Sequence, residues 1–178
     1  MAICFDIKES KIISGVYIIS PSKFKDLRGE IWTAYNDDLD SLLPSDIHFK
    51  HDKFITSSYN VLRGIHYDDK TYKLVTCIHG ELIQVVVDLR KNSPSYLKYE
   101  KFVVNPCNQL LILLPPNVGN AHYISSKNGG VYYYKLAYNG EYCDAPNQQT
   151  LAYNDKKVNI DWGDISPILS DRDKLNKG

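Results

Sequence analysis

Short apolar runs rich in Val, Ile, Leu and Tyr recur along the 178 residues, broken by clusters of Gly, Pro, Asn and Asp. Residues 15–19 stop at Ser20-Pro21, and residues 30–35 follow Arg28-Gly29. Residues 72–78, 82–89, 99–104, 109–114 and 131–138 continue the series. Runs of this length and type between turn formers predict strands. His79-Gly80-Glu81 predicts a tight turn between two of them, and Lys127-Asn128-Gly129-Gly130 a second. Helical signals are weak: one short helix is predicted over 38–43, ahead of Pro44, and one near the C-terminus. Seven or more strands with so little helix predict an all-β chain, built as a two-sheet sandwich or a small barrel. Without repeats, low-complexity segments or linkers, residues 1–178 read as a single domain.

Charge then narrows the partners. Twenty-one basic and 21 acidic residues balance to zero, so neither nucleic acid nor an anionic membrane surface is an expected partner. The longest apolar stretch, 110–116, is far too short to span a bilayer. Charge at Asp6 and Lys8 comes too early for a signal peptide, so a cytoplasmic protein is expected. Cys4, Cys77, Cys107 and Cys143 are scattered and show no paired metal-ligand spacing, which predicts reduced thiols. No Gly-x-Gly-x-x-Gly follows a strand, and no Gly-rich loop ends in Lys-Ser or Lys-Thr. A nicotinamide cofactor and nucleotide triphosphate hydrolysis are therefore not expected. The chemistry must come from side chains or a metal.

The candidate chemistry begins at Val61-Leu62-Arg63-Gly64-Ile65-His66-Tyr67, with Lys73 seven residues beyond His66. A near-neutral imidazole can take a proton beside a carbonyl, and an ammonium can hold the charge that then builds on the oxygen. Alone, the pair reads more simply as a structural His and a surface Lys. Strict strand alternation would also send Arg63 and His66 to opposite faces, unless Gly64 allows a bulge.

Further motifs stand in order around this pair. They are Phe24-Lys25-Asp26-Leu27-Arg28-Gly29, Lys73-Leu74-Val75, Val87-Asp88-Leu89-Arg90, Ala121-His122 after a Pro-rich turn, Tyr134-Lys135, and Leu169-Ser170-Asp171-Arg172-Asp173. Together they resemble the nucleotide-sugar 3,5-epimerases typified by dTDP-4-dehydrorhamnose 3,5-epimerase, over nearly the whole chain. The resemblance implies a jelly-roll (cupin) fold, a nucleotide-diphosphate sugar as substrate, no cofactor and a homodimer that exchanges its N-terminal strands. It implies His66 as general base, Asp173 as the carboxylate that orients it, Lys73 as the group on the C4 oxygen and Tyr134 as the opposing acid. Arg63 and Arg28 would meet the diphosphate and His122 the sugar, with Thr33 and Lys53 at pocket positions. Ser170-Asp171-Arg172-Asp173 also fits a helix-start cap, so Asp173 has a structural reading beside the catalytic one.

Departures bear on the substrate. The rhamnose-pathway members carry Glu where Thr33 stands and Gln-Asp-Asn at His51-Asp52-Lys53, and their turn before His122 is one residue shorter. His51-Asp52-Lys53-Phe54, Lys70-Thr71-Tyr72-Lys73 and Pro115-Pro116-Asn117-Val118-Gly119-Asn120 resemble the branch acting on GDP-4-keto-heptoses or GDP-4-keto-6-deoxyheptoses for capsular polysaccharide. That branch is the expected substrate class, with dTDP-4-keto-6-deoxyglucose the alternative. Metal-binding cupins supply a His-x-His motif that this chain lacks, so metal-free catalysis is expected. The rival readings are a metal-dependent cupin enzyme and a sugar-binding jelly roll without catalysis.

Overall fold

The computed structural model describes residues 3–175. Its strands are β1 Phe5–Glu9, β2 Tyr17–Pro21, β3 Lys23–Asp26, β4 Gly29–Trp32, β5 Phe49–Ser57, β6 Leu62–Tyr67 and β7 Tyr72–His79. They continue with β8 Leu82–Asp88, β9 Tyr99–Val104, β10 Leu111–Leu114, β11 Val118–Ile124, β12 Gly130–Ala137 and β13 Gln149–Thr150. Two sheets form a jelly-roll sandwich, in the orders β1-β2-β10-β7-β12-β5 and β13-β6-β11-β8-β9, and β3 and β4 make a separate hairpin. Neighbouring strands run antiparallel in both sheets.

The apolar runs became strands where expected, and the turn at His79-Gly80-Glu81 joins β7 to β8, with Gly80 at φ 78. β10 begins later than its apolar run because Gln109 takes φ 52, which breaks the extended backbone. β4 ends at Trp32, which sits opposite Lys23, the first residue of its four-residue partner β3. β5 went unseen because Lys50, His51, Asp52 and Lys53 dilute its apolar content, although its burial alternates cleanly. The helix expected over 38–43 is a 3-10 turn, Asp37–Leu42, six residues long and stopped before Pro44. The C-terminal helix, α1, is Asp171–Leu175. Among the described residues no helix is long and apolar enough to cross a membrane.

Alternation divides the core into three layers. Between the sheets lie Val75, Cys77, Val86, Ile112, Leu114, Val118 and Tyr132. The outer face of the six-stranded sheet packs Leu74, Leu111 and Leu113 under Leu39, Leu43 and Phe49. The outer face of the five-stranded sheet packs Leu62, Ile65, Val85, Val87 and Ala121 under Val158 and Trp162 from the C-terminal segment. Burying each such side chain contributes roughly 2 kcal/mol. At one end of the inner layer polar side chains replace apolar ones, and a cavity of about 380 Å³ opens between the sheets. That volume suits a small sugar-sized ligand.

Candidate active site

The cavity depends first on a bulge in β6. Its pairing with β11 matches His66 to Asn120 and Arg63 to His122, so three steps along β6 span two along β11. The extra residue turns Arg63 and His66 to the same side, where both line the cavity with Asn120 and His122. Gly64 sits in the bulge at φ 121, and a Cβ there would lie 2.6 Å from the Asn120 carbonyl oxygen and 2.7 Å from the Ala121 Cβ. Only glycine fits. The opposite-face geometry of strict alternation is thus replaced by a shared one.

His66 then meets the C-terminal helix. Its Nε2 lies 2.6 Å from Asp173 Oδ1, and the carboxylate is almost fully buried. Burial alone would raise the Asp173 carboxyl, but hydrogen bonds from His66 and the Gly64 N–H outweigh it and leave the group below its ordinary value. The Asp173 N–H donates to Ser170 Oγ at 3.3 Å, so the helix-start cap and the His66 contact coexist. The backbone satisfies the cap and the side chain serves His66.

Alternation on the facing sheet aims Lys73 of β7 and Tyr132, Tyr134 and Leu136 of β12 into the same cavity. The Lys73 ammonium is buried and lies 3.7 Å from Asp68 Oδ2. Burial pulls its pKa down, and the Asp68 charge works the other way. Burial also pushes the Tyr134 phenol up to about 12, so it stays protonated near neutrality. His122 stacks on Tyr132 with ring centroids 4.0 Å apart. Its Nε2 has no hydrogen-bond partner among the described residues, and burial, then the Arg63 and His66 charges, drive its pKa to about 3. It is a neutral ring. Tyr132 is itself fixed, its hydroxyl 2.9 Å from Gln84 Oε1 and 3.1 Å from Asn120 Oδ1.

Seven of the nine expected site residues share this cavity: His66, Asp173, Lys73, Tyr134, Arg63, His122 and Lys53. Arg63 Nε donates to Ser57 Oγ at 3.1 Å, and Lys53 Nζ donates to Tyr142 Oη at 2.8 Å. Arg28 and Thr33 do not line it. Arg28 projects from the exposed β3–β4 hairpin, its side chain 82% exposed and paired with Asp26, beside a separate shallow depression. Thr33 follows β4 outside that cavity. The two strands of the hairpin pair with each other and join neither sheet, and in one chain these positions lie away from the cavity. Asn120, Tyr142, Asp144 and Arg172 line the cavity without having been expected. Asn120 was within reach of the sequence, two residues before His122 on one strand. Tyr142 and Asp144 come from the irregular segment after β12, which has no periodicity to read. No group of three or more His, Cys, Asp or Glu side chains is arranged to hold a metal among the described residues.

The family model for dTDP-4-dehydrorhamnose 3,5-epimerase matches residues 10–178. The dTDP-4-dehydrorhamnose 3,5-epimerase of Escherichia coli K12 is 30% identical over 167 residues, 91% of this chain and 88% of the relative. A dTDP-4-dehydrorhamnose 3-epimerase of Streptomyces niveus is 29% identical over 166 residues, 91% of this chain and 78% of the relative. Among solved structures, dTDP-6-deoxy-D-glucose-3,5-epimerase of Legionella pneumophila in complex with dTDP-4-keto-L-rhamnose superposes with a TM-score of 0.87 at 26% identity, covering 97% of this chain and 92% of that one. These relatives are dTDP-sugar enzymes. They do not support the GDP-heptose expectation and favour the dTDP-hexose alternative. The chain belongs to the dTDP-4-dehydrorhamnose 3,5-epimerase family and is an isomerase of the epimerase type.

Proposed function

We propose that the chain inverts carbon 3, carbon 5 or both in a 4-keto-6-deoxy nucleotide sugar, with the dTDP-linked hexose as the favoured substrate. The observation that carries this reading is the convergence in one cavity of the His66–Asp173 pair, the buried Lys73 ammonium and the protonated Tyr134. A ketone acidifies the neighbouring C–H, and removing that proton moves charge to the ketone oxygen. His66 takes the proton, and Asp173 orients the ring and stabilises the imidazolium. Lys73 meets the enolate oxygen. Tyr134 returns a proton to the opposite face, which inverts the centre, and both groups reset by exchange with solvent. His122, neutral and unpartnered at Nε2, is free to bond a sugar hydroxyl. Arg63 holds the diphosphate.

Arg28 reaches a diphosphate only from a second copy. The β3–β4 hairpin exposes Phe24, Leu27 and Ile31, which favours a homodimer in which each hairpin covers the partner's cavity. The dTDP preference rests on the relatives. One feature favours GDP-4-keto-heptoses as a second reading: Lys53, with Tyr142 and Asp144, makes a charged corner in the cavity, at a position where the rhamnose-pathway enzymes carry Asn. The test incubates the protein with dTDP-4-keto-6-deoxyglucose and, separately, GDP-4-keto-6-deoxyheptose, and follows product by NMR. Turnover of the first substrate alone supports the dTDP assignment, and turnover of the second alone reverses it. Turnover of neither overturns the epimerase reading for these sugars. The Streptomyces niveus relative, a 3-epimerase, makes inversion at carbon 3 alone a defined outcome of the same experiment.

A further inference from the structure

Asp68 belongs to none of the roles above, yet it is buried beside one of them. It stands in the loop between β6 and β7, its side chain 3% exposed. Its Oδ1 accepts the N–H groups of Lys70 at 3.2 Å and Thr71 at 2.7 Å, which closes the loop into a tight turn. Its Oδ2 has no hydrogen-bond partner and lies 3.7 Å from Lys73 Nζ, slightly beyond hydrogen-bond reach. The loop is pinned from the other side as well, because the Asn117 N–H donates to the Asp68 carbonyl at 2.8 Å. A carboxylate oxygen left unsatisfied in a buried place is costly and calls for a reason.

The reason lies in Lys73. Burial disfavours an ammonium, and a Lys that loses its proton cannot stabilise an enolate. Three groups act on it: the Asp68 carboxylate, the Cys143 thiol, and Arg172, whose like charge works against the ammonium. Burial raises the Cys143 pKa, so the thiol stays neutral near pH 7 and leaves Asp68 as the counter-charge. We propose that Asp68 is a positioning residue that keeps the Lys73 ammonium charged and aimed into the cavity through Oδ2. The inference rests on the epimerase reading, in which Lys73 meets the developing oxygen charge. An Asp68–Lys73 pair anchored to a closed turn directs the remaining N–H bonds of the ammonium towards the cavity.

Asp68→Asn separates the two tasks of this side chain. The amide oxygen still accepts the Lys70 and Thr71 N–H groups, so the turn persists while the charge is lost. Lys73 is needed protonated, so activity falls as pH rises through its pKa. Removing the counter-charge lowers that pKa and moves the basic limb of the kcat profile to lower pH by about one unit or more. On that basic limb kcat at a given pH falls about tenfold, with KM nearly unchanged and activity recovering as pH is lowered along the limb. A merely structural role would lower stability without moving the limb.

The direct readout is the Lys73 side-chain resonance, titrated by NMR in the substrate-free protein and assigned with Lys73→Met. It needs no turnover, so it decides the hold of Asp68 on Lys73 even if neither sugar reacts. The expected result is a midpoint at lower pH in Asp68→Asn than in the wild type. Asp68→Ser, whose hydroxyl also accepts from the turn, gives the same comparison if the asparagine variant is unstable. An unchanged midpoint, or an unchanged basic limb in a folded variant, overturns the proposal.

Discussion

The chain buries carboxylates in two regions and treats them in opposite ways. Asp88, at the end of β8, has both oxygens saturated. Oδ1 accepts Arg90 Nε at 2.8 Å and the Arg90 N–H at 3.1 Å, while Oδ2 accepts Ser93 Oγ at 2.5 Å, Ser95 Oγ at 2.6 Å and the Arg90 guanidinium at 2.9 Å. In and beside the cavity the accounting is left open: Asp68 Oδ2 has no hydrogen bond and only the Lys73 ammonium at 3.7 Å, and His122 Nε2, in the cavity wall, is buried with no hydrogen-bond partner among the described residues. Each such group costs about 1–3 kcal/mol relative to a paired one. A saturated buried carboxylate is a structural device, here tying down the segment after β8. An unpartnered buried nitrogen in a cavity wall, as at His122, is the pattern of a site whose ligand supplies the missing partner.

The contrast breaks most sharply at His66. His66→Asn is expected to keep the fold and lower epimerised product by roughly 10³-fold or more, measured as kcat by NMR. Lys73→Met should cost roughly 10²–10³-fold in kcat, because its charge acts on the enolate more than on the ketone. Tyr134→Phe separates the two half-reactions. Proton abstraction by His66 continues, so solvent deuterium exchange stays within about tenfold of wild type, while inverted product falls about a hundredfold.

Asp88→Asn is the complementary test, with stability as its readout. The hydrogen bonds from Arg90, Ser93 and Ser95 overcome burial and bring the Asp88 carboxyl from 3.8 to about 2. A folded pKa below the unfolded one stabilises the fold above the unfolded value, by about 2 kcal/mol here. That stability is lost as pH falls from about 4 through about 2. Chemical denaturation at pH 7 should show Asp88→Asn less stable by about that amount. The gap should close towards pH 2, and kcat at neutral pH should stay within about twofold of wild type.

The two regions were not equally legible in the sequence. Apolar runs announced β7, β8, β9 and β12 because those strands are buried on both faces or alternate strongly. Alternation also placed Tyr132 and Tyr134 on one face, as observed. The sharing of one face by Arg63 and His66 was not decidable, because it depends on a single extra residue in the β6–β11 pairing. Gly64 marked the place without showing the outcome. The His66–Asp173 contact spans 107 positions and was reached only through family resemblance. Asp68 was invisible for a different reason. An Asp in a turn is ordinarily a turn former, and only its depth and its neighbour Lys73 give it a second task.

In the epimerase reading His66 abstracts a carbon-bound proton beside a ketone whose oxygen meets Lys73. This step is tested most directly by incubating wild-type protein and His66→Asn with dTDP-4-keto-6-deoxyglucose in deuterated water and locating deuterium by NMR. Deuterium is expected at carbon 3, and at carbon 5 if both centres react, in the wild type and none above background in the variant. Incorporation at the wild-type rate in His66→Asn would contradict it.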